Sequence, residues 1–259
     1  MDTQLVGRRI SVRFRTSDGA ASDVVGRVLA VDPLLRLERR DGTLATVDPD
    51  AVLILRVVPD RPLRTRRATA APVDLIRRIA QRAWPAEESL PLDGWELRHT
   101  PGAGPRLNSA LALESVDERL LAAARDFYAA RGLPPLVEVE AGSALERQAG
   151  EFGWRPVGDR TRVLVAQLDR RWPVDAGVSV EAPGRATLRR GDATATVVVT
   201  GEWAGVTADD EALLAACLGW AVEAGADKAH ARLDPADDES PWRVLGFLDH
   251  HDLAYLTSV

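Results

Sequence analysis

Adjacent imidazoles at His250 and His251, a lone thiol at Cys217, an acidic run at Asp237-Asp238-Glu239 and guanidinium groups at Arg61, Arg64, Arg66 and Arg67 are the groups whose types and spacing could do chemistry. Paired imidazoles suit metal binding or proton transfer. On an extended segment, however, neighbouring side chains point to opposite faces, so one of the two histidines is expected to pack and the other to face solvent. That arrangement does not hold a metal. Cys217 stands among Leu213, Leu214, Leu218 and Ala221 on the apolar face of a predicted helix, which makes it core and not a nucleophile. The acidic run lacks the glycine and ligand spacing of a calcium loop and reads as a solvated helix start. Four arginines in a Pro- and Thr-containing linker could touch phosphates. No aromatic residue is interleaved to stack on a base, so nucleic acid is kept only as a minor alternative partner.

The elements that must position these groups come from periodicity. The chain has 259 residues, 46% hydrophobic and 28% charged, the balance of a globular protein of one large or two to three small domains. Residues 5–58 alternate in short strands, as in Arg8 to Arg15 and Leu35 to Arg39, with turn signals at Ser17-Asp18-Gly19 and Asp41-Gly42. About five strands in about 55 residues predict a small closed barrel. An Arg-rich linker (59–71) follows, then a helix over 72–83 expected to bury Val73, Ile76, Ile79 and Ala80 and to leave its arginines outside.

From Trp95 onward strands and helices mix. Strands are predicted at 95–98, 107–113, 136–140 and 162–168, with helices at 116–131 and 143–152. Further strands fall near 185–190, 194–200, 202–207, 229–233 and 253–257, with a helix at 208–224 and a short one ending at Leu245. The two stretches superpose at an offset of 93 without a gap, giving 7 identities over 35 positions, among them Gly132 on Gly225 and Gly153 on Gly246. Every element boundary stays in register, which predicts a structural repeat.

Trp242-Arg243-Val244-Leu245-Gly246-Phe247 is similar to the tyrosine-x-x-leucine-glycine-phenylalanine signature near the end of GNAT superfamily N-acetyltransferases. The wider chain resembles an actinobacterial type with an N-terminal SH3-like barrel and two GNAT-like units. Gly94-Trp95-Glu96-Leu97-Arg98, Arg106-Leu107-Asn108-Ser109, Tyr128 to Pro135, Gly201 to Gly205 and Gly246 to His251 carry that likeness. It implies an α+β fold: the barrel at 1–58, the linker at 59–71, and tandem α/β units at 72–169 and 170–259 with a mixed, largely antiparallel sheet. It also implies an acetyl-CoA site in which a splayed fourth strand pairs with the pantetheine arm and a glycine-rich loop wraps the pyrophosphate at a helix N-terminus.

On that resemblance Gly205, Val206, Thr207 and Trp242 take the cofactor-binding positions, and Glu202 and His250 those of catalytic acid–base groups, if the protein is active; no metal is implied. Three departures stand against activity. The connection Val206-Thr207-Ala208-Asp209-Asp210-Glu211 has no glycine or arginine and three consecutive carboxylates. Thr207 reads as the helix N-cap, with Asp210 as its capping-box partner. The family's usual acid, a tyrosine, is matched by Trp242, whose indole cannot supply a proton. Only 16 residues separate Leu168 from Arg185, too few for the usual acceptor lid.

Charge agrees with this reading. The net −6 divides into +6 over residues 1–83 and −12 over residues 84–259, with −9 in the last 60. The negative part covers the unit where a polyanionic cofactor would sit. The expected function is a GNAT-like protein with acetyl-CoA-dependent activity lost or strongly reduced, binding no cofactor strongly and serving as a binding or regulatory protein for a small amine or a protein partner. The alternatives are an active N-acetyltransferase with an atypical cofactor loop and a nucleic-acid-associated module using the Arg-rich linker. The longest uncharged apolar stretch, Ala212 to Val222, is 11 residues and too short for a membrane span. Met1-Asp2-Thr3-Gln4 starts no secretory signal, and one cysteine forms no internal disulfide, so a cytoplasmic location is expected.

Overall fold

Alternating apolar residues in the first 58 positions do form strands, and their inward sides meet. The structure is a computed structural model that describes residues 5–17, 19–39, 42–58, 67–168, 172–174, 176–208 and 210–258. Strands β1 (Arg9–Arg15), β2 (Ala21–Ala30), β3 (Leu35–Glu38), β4 (Leu44–Val47) and β5 (Val52–Val57) pair in the order β4-β3-β2-β1-β5. The pairings are antiparallel. Ile10, Val12, Val24, Val28, Leu35, Leu37 and Val47 make the core of this sheet. Register shifts at Arg13/Phe14 and Val28/Ala30 mark bulges where the strands bend. Among the described residues β4 and β5 remain the two edges, so the expected closed barrel is an open five-stranded sheet. The connection between them passes through a 3₁₀ turn at Pro49–Ala51 capped by Asp48, and β5 then joins β1. Arg61, Arg64 and Arg66 of the Arg-rich linker lie outside the described residues.

The chain divides into two compact units, each built from separated segments: Met1–Ala70 with Gln167–Ala229, and Ala71–Ala166 with His230–Val259. The first unit also contains an antiparallel run of β11 (Gly177–Ala182), β12 (Arg185–Arg190), β13 (Ala193–Thr200) and β14 (Trp203–Ala208). Helix α4 (Glu211–Glu223) packs on β12, β13 and β14. It is apolar nearly all round and buries Leu213, Leu214, Cys217, Leu218 and Ala221. Gly219 allows the closest approach: a Cβ there would stand 2.5 Å from the Trp172 carbonyl oxygen.

The second unit holds the strand run β10-β16-β9-β8-β7-β6. These are β6 (Glu88–Leu92), β7 (Trp95–His99), β8 (Ala110–Ala112), β9 (Val137–Glu140), β10 (Trp154–Gln167) and β16 (Leu248–Ser258). The sheet is mixed: β8 and β9 run parallel, while β10–β16, β16–β9, β7–β8 and β6–β7 are antiparallel. Helices α1 (Val73–Ala83), α2 (Glu118–Ala129) and α3 (Ala144–Glu151) belong to this unit. Trp95, Leu97, Leu120, Leu121, Tyr128 and Trp154 are among its core residues. Strand β15 (Lys228–Leu233) ends one unit's segment and begins the other's, and α5 (Ser240–Val244) follows it. The whole is a mixed α+β protein. No helix among the described residues is long and apolar enough to cross a membrane.

Candidate functional site

The residues that would grip a cofactor begin at the junction of β14 and α4. Gly205, Val206 and Thr207 lie together on β14, paired with Val198, Val197 and Thr196 of β13. Thr207 is therefore a strand residue and not the N-cap. That role belongs to Asp210, whose backbone is extended and whose Oδ1 accepts the Leu213 N–H at 2.7 Å. β14 continues to Ala208 and α4 begins at Glu211, which leaves Thr207 inside the strand. Asp209 lies outside the described residues.

Helix α2 begins in the same way. Asp117 caps it, its Oδ1 accepting from Leu120 N at 2.8 Å, and Glu118 follows as Glu211 does after Asp210. Asp117 and Asp210 are separated by the offset of 93 found in the sequence. Both helix ends thus carry their own carboxylate where an anion would otherwise sit. Asp117→Ala and Asp210→Ala are each expected to cost about 1 kcal/mol, with Asn at either site keeping most of the cap. Urea midpoints measure this, and Ala variants as stable as the parent would remove the capping assignment.

Beside α2 the parallel strands β8 and β9 pair over only two positions, Ala110↔Val137 and Leu111↔Glu138. Just beyond, Arg77 from α1 spans the two strands. Its Nη1 donates to the Ala112 carbonyl and its Nη2 to the Glu138 carbonyl, each at 2.7 Å. The expectation that the α1 arginines face solvent fails here, because Arg77 is buried to 2% exposure. A buried guanidinium requires a countercharge, and that charge is the side chain of Glu138, 0% exposed.

Glu138 sits among three guanidinium groups. Arg232 donates to it from Nη1 at 2.8 Å and Nη2 at 3.1 Å, Arg98 Nη2 approaches at 3.1 Å, and Arg77 Nε lies 3.7 Å away. Arg98 is held in turn by the Ser109 carbonyl and hydroxyl, each at 2.9 Å. Burial alone would raise the Glu138 pKa, but Arg232, Arg98 and Arg77 outweigh it and hold the carboxyl well below its ordinary range. Burial is the larger influence on Arg77, which falls to about 10.

Glu202 and His250 fall in different units. Glu202 occupies the turn before β14, where its carboxylate accepts from the buried Lys228 Nζ at 3.0 Å; Asp227 completes the pair at 2.7 Å. In the second unit His250 Nε2 lies 2.9 Å from the Ala71 carbonyl, so that nitrogen is the donor. Its Nδ1 stands 2.7 Å from Nδ1 of His251. With both rings neutral, His250 Nδ1 then accepts from His251 Nδ1–H, leaving a lone pair on His251 Nε2. That nitrogen is buried with no hydrogen-bond partner among the described residues. Burial, then the neighbouring His250, lowers the His251 pKa to about 3. The two imidazoles were expected on opposite sides. They meet because the β10–β16 register shifts between Val163, opposite His251, and Leu164, opposite Asp249, which makes His250 the extra residue of a bulge.

Trp242 on α5 is 6% exposed and meets Phe247 edge-to-face at 5.1 Å, a packing role. Cys217 is buried, and burial pushes its thiol up to about 12, so it is no nucleophile at neutral pH. No group of three or more His, Cys, Asp or Glu among the described residues is arranged to hold a metal. Sequence reasoning missed Arg77, Arg98, Glu138, Arg232 and the open nitrogen of His251. Only the buried strand around Glu138 offered a signal, a charged residue between Val137 and Val139.

Comparison with known proteins places this geometry in a family. Residues 70–207 match the family model described as "Probable histone acetyltransferase Rv0428c C-terminal", and residues 4–56 match "Rv0428c N-terminal Sm-like domain". The Mycobacterium tuberculosis protein named "Probable histone acetyltransferase Rv0428c" is 31% identical over 293 residues, covering 97% of this chain and 95% of that one. A solved structure of a GCN5-related N-acetyltransferase from Kribbella flavida superposes with a TM-score of 0.51 at 18% identity, over 70% of this chain and 95% of the other. The last likeness concerns the fold alone, whereas the first two extend along the sequence. This chain is a GNAT-type protein and belongs to the family of Rv0428c.

Proposed function

We propose that this GNAT-type chain has lost, or strongly reduced, acetyl-CoA turnover and serves in the cytoplasm as a binding or regulatory protein. The observation that carries this reading is the Asp210 carboxylate seated on the first-turn N–H of α4, the helix that would receive the pyrophosphate. A diphosphate there would meet the carboxylates of Asp210 and Glu211, with the Leu213 N–H already taken, in a connection without glycine. The residues present do not fit the cofactor's phosphates. Two further points support the reading. Asp117 repeats the arrangement, and Arg77 occupies the carbonyls of Ala112 and Glu138 where the β8–β9 pairing ends. The alignment with the Mycobacterium tuberculosis relative runs over 293 positions against 259 residues here, so at least 34 of its positions have no counterpart in this chain.

Thermal unfolding with and without millimolar acetyl-CoA tests the proposal. A ligand at 100 times its dissociation constant stabilises a native protein by about 2.7 kcal/mol. No upward shift is expected. A clear shift overturns the reading.

One observation favours a second reading, an active N-acetyltransferase with an unusual cofactor grip. It is the kinship, along nearly the whole chain, with a relative whose name includes histone acetyltransferase. Radiolabel passing from acetyl-CoA to a basic histone-tail peptide is the result that reading requires. The acceptor would then be a protein lysine, suited by the −12 of residues 84–259.

A further inference from the structure

By composition the N-terminal segment is neutral, because residues 1–58 carry nine arginines against eight Asp and Glu. Strand register separates these charges. Ile10, Val12, Val24, Leu35 and Leu37 point into the core of the five-stranded sheet. Side chains alternate along a strand, so Arg9, Arg13, Arg15, Arg27, Arg36 and Arg56 stand on the opposite side. Among the strand residues of that side the carboxylates are Asp23 and Glu38 alone. Six guanidinium groups against two carboxylates make one outer face strongly positive.

Sheet stability does not account for this segregation. Arg9 is directly opposite Arg27, a like-charge pair that weakens a ladder. Arg13, Arg15 and Arg56 are exposed and form no ion pair among the described residues. Two apolar side chains are set between the charges. Ile54 is directly opposite Arg13, and Val25 is opposite Ser11, whose other neighbour is Arg56. They are 47% and 39% exposed. A Cβ on Gly225 would lie 3.4 Å from Arg27 Nη2, so the end of α4 covers only that corner.

These features specify the occupant. A nucleic acid would engage the arginines through its phosphates. It would leave Ile54 and Val25 against a charged backbone, and Phe14, the one aromatic residue of the segment, packs on the core side. An acidic polypeptide with apolar side chains between its carboxylates matches both the charge and the apolar positions, and arginine is enriched in protein interfaces. The chain's own exposed acidic stretch, Asp234 to Asp238, holds only proline and alanine between its carboxylates and supplies no large apolar group.

We infer that the outer face of the N-terminal sheet docks an acidic, apolar-containing segment of a protein partner, held by Arg13, Arg15 and Arg56 around Ile54 and Val25. Arg13 and Arg15 lie about 7 Å apart along β1, the step between alternate side chains of an extended segment. The face shares no residue with the β14–α4 junction, so this goes beyond the proposed loss of turnover and holds whether or not acetyl-CoA binds.

Fluorescence anisotropy on the full chain tests it with a labelled peptide of mixed glutamate and leucine, its glutamine and serine counterparts, and a DNA duplex. The glutamate–leucine peptide is expected to bind, and more weakly as salt rises. Exchanging its glutamates for glutamine, or its leucines for serine, should each weaken binding roughly tenfold. Arg13→Glu combined with Arg56→Glu should abolish binding. Arg189→Glu combined with Arg190→Glu, an equal charge change at exposed positions of β12, should leave it intact. The inference is overturned by no binding of the glutamate–leucine peptide, by equal binding of either counterpart, or by tighter binding of the duplex. Loss of binding in the β12 variant, or self-association of the chain that the Arg13 and Arg56 changes remove, also overturns it. The peptide and salt comparisons use the unaltered protein, so they decide the matter even if a variant fails to fold.

Discussion

Glu138→Ala should remove about 3–5 kcal/mol of stability, because it strands buried guanidinium groups without their shared counterion. The variant leaves Arg77, Arg98 and Arg232 clustered with no carboxylate, where Arg77 and Arg98 are each 2% exposed. Glu138→Gln keeps the shape and should fare little better, since charge and not volume is lost. Urea unfolding at pH 7 measures both, and a loss below about 1 kcal/mol would fall in the range of exposed ion pairs and refute the buried-cluster account. The same group sets a pH dependence. Because the folded-state pKa of Glu138 is depressed, its contribution is fully present above the unfolded carboxylate value of about 4.3. It is lost progressively as the pH falls below that value toward the folded pKa. Glu138→Gln should therefore flatten the acid limb of the stability curve.

Trp154→Ala is the second large effect, expected at about 3–5 kcal/mol. Trp154 is 1% exposed and belongs to the core cluster of the second unit with Leu121, Val139 and Leu256. Its indole Nε1 has no hydrogen-bond partner among the described residues. Trp154→Phe should consequently lose only the volume difference, about 1–2 kcal/mol, with no penalty for the missing N–H. If Phe costs as much as Ala, an unseen polar contact holds the indole and the packing account fails. Gly153 precedes it with φ 83°, a left-handed turn that sets the ring into the core, so Gly153→Ala adds a backbone cost of its own.

Local signals gave the strands and helices because period and punctuation are local. The helix ending at Gly132 and the strand Arg185–Arg190 fall where alternation, apolar faces and glycine stops placed them. Trp95, Trp154, Trp203 and Cys217 are buried as their contexts indicated. The strands Glu88–Leu92 and Gly177–Ala182 were not read from the sequence; both are largely exposed edge strands, one containing Pro91 and the other ending just before Pro183-Gly184. The Thr207 cap was misplaced because threonine is a good cap residue and also a good strand residue, and pairing with β13 decided between them. The meeting of His250 and His251 depends on a bulge, which period-2 reasoning excludes by construction. The charge cluster was hidden for a different reason. Arg77, Arg98, Glu138 and Arg232 come from four elements, and only the sheet order brings them within reach of one another.

Arg77 carries one more consequence. Its two donated hydrogen bonds stitch the carbonyls of Ala112 and Glu138 where the β8–β9 ladder stops. An intruding ligand arm would have to evict an ion and then solvate two orphaned oxygens. A neutral amide chain has too few donors for that exchange. Replacing Asp117 or Asp210 alone would therefore leave Arg77 in place across these two strands. Threading a ligand arm between β8 and β9 would require rewriting a helix, α1, that supplies Arg77 from outside the sheet.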